Sequence, residues 1–400
     1  KFELMQKLID KLNLFTRQNL TGIRVIRAFN RQEYEAENFD GLNKQLSKVH
    51  LFVNRVLGMM QPVMMLVFNM TTILIVWVGA HLIEKNSLYV GDMMAFMQYA
   101  MQVIMAFLMI SVIFIIVPRA SVSIKRISEV LDTKLSILDP ENPKRPKGKT
   151  KGLVEFKNVT FKYPDADVPV LYNISFTAKP GETTAIIGGT GSGKSTVVNL
   201  IPRFFDVTSG QLLIDGINVK DMKQKDLRKR IGYIPQKGVL FSGTIESNIK
   251  YGNPRATDKE MERAARISQS IEFISKLEEK YNYPIAQGGT NVSGGQKQRL
   301  SIARAMLINP DIYIFDDSFS ALDFKTSSKL YRDLRKETKD ATVIIVAQRI
   351  GMTINADQVI VLDEGRIVGV GKHKELLKTC KVYKEIALSQ LSQKEIEENG

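Results

Sequence analysis

Cysteine and histidine are almost missing from these 400 residues. A single cysteine, Cys380, excludes an intramolecular disulfide and any cysteine metal cluster. The three histidines, His50, His81 and His373, lie far apart, which disfavours a zinc site or a histidine-based triad. A concentrated charge of one sign is missing too. The formal net charge is +14, but residues 1–150, with 19 basic and 12 acidic side chains, carry only half of it. The one local cluster is PKRPKGKTK (143–151). An excess this diffuse suits solvated and membrane-flanking surfaces and argues against nucleic acid as a partner. At 44% hydrophobic and 24% charged, the chain is neither disordered nor fibrous. Its length leaves room for about two or three domains.

What is present is segregated. A mean hydropathy of −0.09 averages an apolar first part with a polar, Gly-punctuated remainder. Between Arg55 and Glu84 run 28 uncharged residues, and between Asp92 and Arg119 a further 26. An apolar helix crosses the hydrocarbon with about 20 residues, so membrane spans are predicted over about 56–83 and 93–117. Buried core helices rarely stay uncharged for so long, and neither run has signal-peptide flanks. The connection holds Glu84, Lys85 and Asp92. The outer flanks hold Lys44, Lys48 and Arg55 on one side and Arg119, Lys125 and Arg126 on the other. The positive-inside rule puts those outer ends in the cytoplasm. Gln61, Asn69, Gln98 and Gln102 either face a translocation path or bond to neighbouring helices.

Residues 1–19 read as a charged helix with apolar positions at Leu4, Leu8, Leu12 and Phe15. The amphipathic pattern continues through 20–39, with a break expected at Gly22, and this segment is either solvated or docked on another domain. The chain opens at Lys1 within a helical pattern, as expected of an N-terminally truncated chain. Two spans alone do not enclose a path for anything large.

Beyond a Pro-stiffened linker (Pro140, Pro143, Pro146), strand-like and helical runs alternate as in an α/β domain. TTAIIG (183–188) is a short buried strand running into GGTGSGKST. This is the G-x-x-x-x-G-K-[ST] phosphate loop, with Gly188, Gly193, Lys194 and Ser195 at its fixed positions and Gly189, Thr190, Gly191, Ser192 and Thr196 completing the stretch. Backbone N–H groups and the start of a helix predicted over 194–204 would face phosphate oxygens. Lys194 would reach the β- and γ-phosphates, and the Ser195 hydroxyl would ligate magnesium. Ser293-Gly294-Gly295-Gln296 opens another predicted helix, a second anion-type N-terminus. INPDIYIFDD (308–317) is an apolar strand ending in two acids, of which Asp316 suits a metal shell.

Taken in order, GGTGSGKST, Gln236 in IGYIPQ, VSGGQKQR, IYIFDD and SALD (320–323) resemble the nucleotide-binding domain of an ABC transporter. The hydrophobic pair resembles the last two membrane helices of a type I exporter half, and NLTGIRVIRAFNRQEYEAENF the coupling segment before them. The resemblance covers essentially the whole chain. It implies an α-helical transmembrane domain, partial here, plus an α/β P-loop NTPase domain. The divisions are 1–133 (coupling segment about 20–40), a basic linker over 134–151, and a nucleotide-binding domain over 152–392. It implies a multi-pass plasma-membrane protein with that domain in the cytoplasm, using ATP and Mg2+ for export of a small molecule, lipid or peptide. Residue by residue, Tyr163 matches the adenine-stacking aromatic. Gln236 matches a residue that contacts magnesium and relays nucleotide state, and Asp316 the metal-shell aspartate. Ser293, Gly294, Gly295 and Gln296 match the signature closing over a partner's ATP, and Asp323 lies in the loop that communicates across the dimer.

Two positions depart from the family pattern. Asp317 stands where the catalytic glutamate is usual, and Gln348 where the switch histidine is usual. Aspartate is one methylene shorter, and glutamine carries no proton at neutral pH. Losing a positioned base costs about 10²–10⁴ in rate. Because the binding motifs are intact, the combination resembles the degenerate half of a heterodimeric exporter, an ABC-type ATPase that hydrolyses poorly at its own site and completes its partner's. A homodimer with slow hydrolysis, a regulatory membrane subunit that binds ATP, and a soluble DNA-acting ATPase are the competing readings. AQGGTN (286–291) departs from the commoner acidic version of that loop.

Overall fold

The computed structural model describes residues 2–146 and 151–390. Lys147–Thr150 of the basic cluster and residues 391–392 of the expected nucleotide domain lie outside the described residues. The chain divides into two compact units, residues 1–134 and 135–400.

The first unit is three helices: α1 (Phe2–Ala28), α2 (Gln32–Glu84) and α3 (Val90–Leu131). Gly22 does not break α1. A glycine inside a helix costs only about 1 kcal/mol relative to alanine, and flanking turns carry the helix across it. The break falls at Asn30, in the left-handed region with φ 54°. There Arg31 N–H donates to Ile26 O (2.9 Å) and Asn30 N–H to Arg27 O (3.2 Å). The same bond pair ends α2 at Asn86, from Ser87 N–H to Leu82 O and from Asn86 N–H to Ile83 O, both 2.9 Å. Asparagine serves in both places as the left-handed C-terminal cap that glycine usually provides.

At 53 residues, α2 is about 80 Å long. It is the one helix among the described residues long and apolar enough to cross a membrane. Its apolar run follows a polar arm, Gln32–Arg55, and Pro62 lies near the junction. Lacking an N–H, Pro62 leaves the carbonyl one turn back, at Gly58, without its helical partner. Leu66, Ile73 and Trp77 are all more than 60% exposed, a surface suited to an apolar environment. The second expected span lies within the continuous helix α3, but Leu108, Ser111, Val112, Phe114 and Ile115, like Arg119 on its flank, have side chains outside the described set. Gly79 of α2 brings α3 close: a Cβ there would lie 2.7 Å from Met93 Sδ, the small-residue packing typical of membrane helices.

The second unit is built on a six-stranded sheet, in spatial order Arg366–Gly371, Gln358–Asp363, Thr183–Gly188, Thr342–Val346, Ile312–Asp316 and Ile231–Ile234. All neighbours pair in parallel except the first two. Buried on both faces, the central strands read as unbroken apolar runs rather than alternating ones. An antiparallel sheet of Leu171–Ala178, Val154–Phe161, Ser209–Ile214 and Ile217–Asn218 packs beside it. Helices between Ile245 and Ile308 gather around a second cluster that includes Leu300 and Phe315.

Part of the expected linker is docked on this unit. Lys144 bonds Asp221 through its backbone N–H and its ammonium, each at 2.8 Å, and Gln224 N–H donates to Asp139 Oδ1 at 2.8 Å. Proline sets the path of this segment, but polar contacts fix where it rests.

Candidate nucleotide site

In open parallel sheets, ligands bind beyond the carboxyl ends of the strands. Four neighbouring strands end together here. Thr183–Gly188 runs into the glycine loop, Ile312–Asp316 into Asp317, Thr342–Val346 reaches Gln348 two residues on, and Ile231–Ile234 reaches Gln236 two residues on. The topology thus gathers residues up to about 160 positions apart in sequence.

The loop needs its glycines for two separate reasons. At Gly188 a Cβ would lie 2.0 Å from Leu362 O, and at Gly193 the backbone has φ 96° with Leu171 Cδ2 2.7 Å from the Cβ position. The helix that follows ends at Leu200, earlier than 204, because the chain turns at 201–205. Lys194 is turned back onto the loop, its ammonium donating to Gly188 O (2.9 Å), Gly189 O (2.6 Å) and Ser192 Oγ (3.4 Å). Burial lowers its pKa, opposed by Asp317 and Asp316.

Ser195 Oγ donates to Asp316 Oδ1 at 2.8 Å. Tyr233 OH donates to Asn199 Oδ1 at 2.8 Å and reaches Asp316 Oδ2 at 3.5 Å. Burial raises the Asp316 pKa, and Asp317 adds to the effect while the Ser195 and Tyr233 bonds oppose it. Asp317 sits just past its strand in the left-handed region, φ 47°. Its backbone N–H donates to Val346 O (3.1 Å) and its carbonyl accepts from Ser320 Oγ (2.8 Å). Asp317 Oδ2 accepts from the carboxamides of both Gln348 (2.7 Å) and Gln236 (3.1 Å). Burial raises its pKa as well, opposed by its hydrogen bonds and by Lys194 and Arg349.

Thr190, Gly191, Gly193, Lys194, Ser195, Thr196, Gln236, Asp317 and Gln348 line one cavity of ≈ 270 Å³. Tyr163 is not among the lining residues. Its hydroxyl bonds Thr196 Oγ1 at 3.1 Å, and its ring meets Phe161 and Phe205 edge-on. Among the described residues no group of three or more His, Cys, Asp or Glu side chains converges as a metal cage. One hydroxyl beside one carboxylate suits Mg2+, which keeps waters and takes phosphate oxygens as ligands.

The second expected anion site is elsewhere. Ser293 caps the helix Gly294–Ile308 through a reciprocal box: Ser293 Oγ accepts from Gln296 N–H (3.3 Å) and Gln296 Oε1 from Ser293 N–H (2.8 Å). Ser293 and Gly294 are exposed, and nothing lies within 4 Å of a Cβ on Gly294. Gly295 abuts Ala321 O, 3.2 Å from its Cβ position, which joins this helix end to the Ser320–Asp323 loop. Asp323 caps the next helix, accepting from Thr326 N–H at 2.9 Å, and these bonds lower its pKa. In AQGGTN, Asn291 folds the loop, donating to Pro284 O (2.7 Å) and accepting from Ala286 N–H (3.0 Å).

Three supporting residues went unread in the sequence. Tyr233 reaches Asp316 and is itself held by Asn199, and buried Gln298 donates to Pro235 O at 2.9 Å beside Gln236. A strand tyrosine three residues before a site glutamine and a buried polar position inside the signature helix were the available signals.

Comparison with known proteins gives two family matches: an ABC transporter transmembrane region over residues 1–107 and an ABC transporter domain over 171–320. The chain is 45% identical over 392 residues to an "Uncharacterized ABC transporter ATP-binding protein" of Mycobacterium tuberculosis, covering 97% of this chain and 67% of that one. It is 36% identical over 372 residues to a "Putative multidrug export ATP-binding/permease protein" of Staphylococcus aureus, covering 93% and 64%. A solved structure of a bacterial Atm1-family ABC exporter with ATP bound superposes with a TM-score of 0.85 at 28% identity, over 98% of this chain and 70% of that one.

Proposed function

The chain belongs to the ABC transporters, as a membrane protein of exporter type carrying its ATPase domain in the cytoplasm, and from that premise we propose that it is the poorly hydrolysing half of an exporter that pairs with a different half. Its own glycine loop binds the ATP phosphates. Lys194 swings from the Gly188 and Gly189 carbonyls to phosphate oxygens, and Ser195, Asp316 and Gln236 hold Mg2+. That ion, when bound, neutralises charge on the phosphates. Tyr163 supports the adenine from behind Thr196. Ser293, Gly294, Gly295 and Gln296 face outward to complete the partner's site, with Asp323 in the loop between the two. The exported compound is a small molecule, lipid or peptide. The multidrug label of the Staphylococcus aureus relative favours the first of these.

One observation carries the poor-hydrolysis reading: Asp317 Oδ2 is already held between two neutral carboxamides, Gln348 at 2.7 Å and Gln236 at 3.1 Å. A carboxylate one methylene short and doubly bonded is drawn toward the loop rather than out to an attacking water, and Gln348 has no proton to shuttle. Affinity purification of the tagged protein from its own membranes tests the pairing. A second ABC half at one-to-one stoichiometry, with glutamate and histidine matching Asp317 and Gln348, is the expected result. A homodimer turning over ATP would overturn it.

A further inference from the structure

Gln348 is held from outside the nucleotide cavity as well as from within. Gln390 belongs to the helix Lys381–Gln390, and its carboxamide spans the loop carrying Gln348. Gln390 Nε2 donates to Gln348 O at 2.8 Å, and Gln390 Oε1 accepts from Ile350 N–H at 2.9 Å. Ile350 opens a single 3₁₀ turn, Ile350–Met352, and the first N–H of such a turn has no partner within it. Ile350 is fully buried, so this N–H needs a partner from elsewhere. One side chain therefore grips the backbone on both sides of Arg349. The same helix grips the loop's far end, where buried Tyr383 OH bonds Thr353 Oγ1 and His373 Nδ1, both at 2.7 Å.

We propose that Gln390 is a positioning residue for the nucleotide site, fixing the Gln348 carboxamide on Asp317 by clamping the backbone of residues 348–350 to the helix Lys381–Gln390. The inference rests on the ATP-site reading above. The chain of contacts is continuous: Gln390 to the Gln348 backbone, the Gln348 side chain to Asp317 Oδ2, and Asp317 Oδ2 to Gln236. Among the described residues the Gln390 side chain bonds the backbone of Gln348 and Ile350 and does not line the nucleotide cavity, so its loss alters the setting of Asp317 and leaves the phosphate cradle standing.

The test uses the full chain in lipid nanodiscs, comparing the parent with Gln390→Ala and Gln390→Glu. Gln390→Ala removes both bonds, whereas Gln390→Glu keeps an acceptor for Ile350 N–H and loses the donor to Gln348 O. Hydrogen exchange is read over residues 349–352 without nucleotide, together with single-turnover ATP cleavage, ATP affinity and Tm. For Gln390→Ala, exchange should quicken and the cleavage rate change by about threefold to tenfold, the weight of one or two hydrogen bonds, with affinity within about twofold of the parent and Tm lowered by about 2–8 °C, the cost of leaving a buried N–H unpaired. Gln390→Glu should fall between. Unchanged exchange overturns the clamp. Faster exchange with an unchanged cleavage rate overturns its link to Asp317, and so does a rate change that comes with a loss of ATP affinity well beyond twofold. Failure of the ATP-site reading is seen separately, as an unaltered ATP affinity in Lys194→Ala.

Discussion

The two helix N-termini that the sequence marks as anion sites differ in how complete they are. Around the glycine loop, Lys194, Asp316 and Asp317 are all at least nine-tenths buried, and each is already bonded to a neighbour in the site. At the other, Ser293 bonds only within its own turn, and Gly294 looks onto open space. The first is a concave cradle from four strand ends, the second a convex tip. A convex tip with free backbone donors acts on a phosphate only when something else holds that phosphate against it. On the function proposed above, one chain would supply a whole cradle for one nucleotide and a lid for another.

Exchanging the two departures should sharpen this contrast most. Asp317→Glu together with Gln348→His should raise ATP turnover at the chain's own cradle by about 10²-fold or more, read as single-turnover cleavage. No gain would place the bottleneck elsewhere. Lys194→Ala should act on the cradle alone, lowering ATP affinity of the purified chain by about tenfold to a hundredfold, the weight of its charge-assisted bonds. Equal loss from Ser293→Ala in the same binding assay would erase the distinction between cradle and lid. Ser293→Ala should instead cost about 1 kcal/mol of stability through its helix cap, seen as a lowered denaturation midpoint with ATP affinity intact. The smallest effect lies at His373, which is buried and bonded through Nδ1 to Tyr383 OH, with Lys374 next to it in sequence. Burial, with Lys374, holds its pKa below the ordinary value of 6.5, so the unfolded chain takes up that proton first as pH falls. Its contribution is complete above pH 6.5 and is lost on going below it. His373→Asn should flatten the decline in Tm on acidification.

Local patterns made much of this legible. The strand Thr183–Gly188 and the helix start at Gly294 stand where the residues put them, because a buried apolar run and a Ser-x-x-Gln box fix their own ends. The fold class is legible in the two long uncharged runs, the strand–helix alternation beyond the linker and the order of the motifs. The misreadings share a cause. Gly22 looked like a break because glycine is the usual punctuator, but the punctuation fell to Asn30 and Asn86, whose left-handed backbones are set by bonds reaching back one turn. The cradle's residues could be named in the sequence, but not how they are held. Lys194 lies on its own loop carbonyls, and Asp317 lies between two glutamines from different strands, because only the strand order brings residues 236, 317 and 348 together. Gln390 is further still from any motif, with nothing in a helical glutamine to say that it caps a turn 40 residues earlier.

The length of α2 has a mechanical meaning. From Pro62 back to Gln32 the helix extends about 45 Å, and the proline with Gly58 one turn before it marks where the rod bends most easily. A tilt of about one degree there carries the far tip roughly 0.8 Å over that arm. Bending by a few degrees, well within what a proline helix tolerates, thus displaces the Asn30 turn by a few ångströms, while a twist transmitted along the same rod barely moves it. A bend of a few degrees at Pro62 is geometrically equivalent to a stroke the size of a side chain at the Asn30 turn.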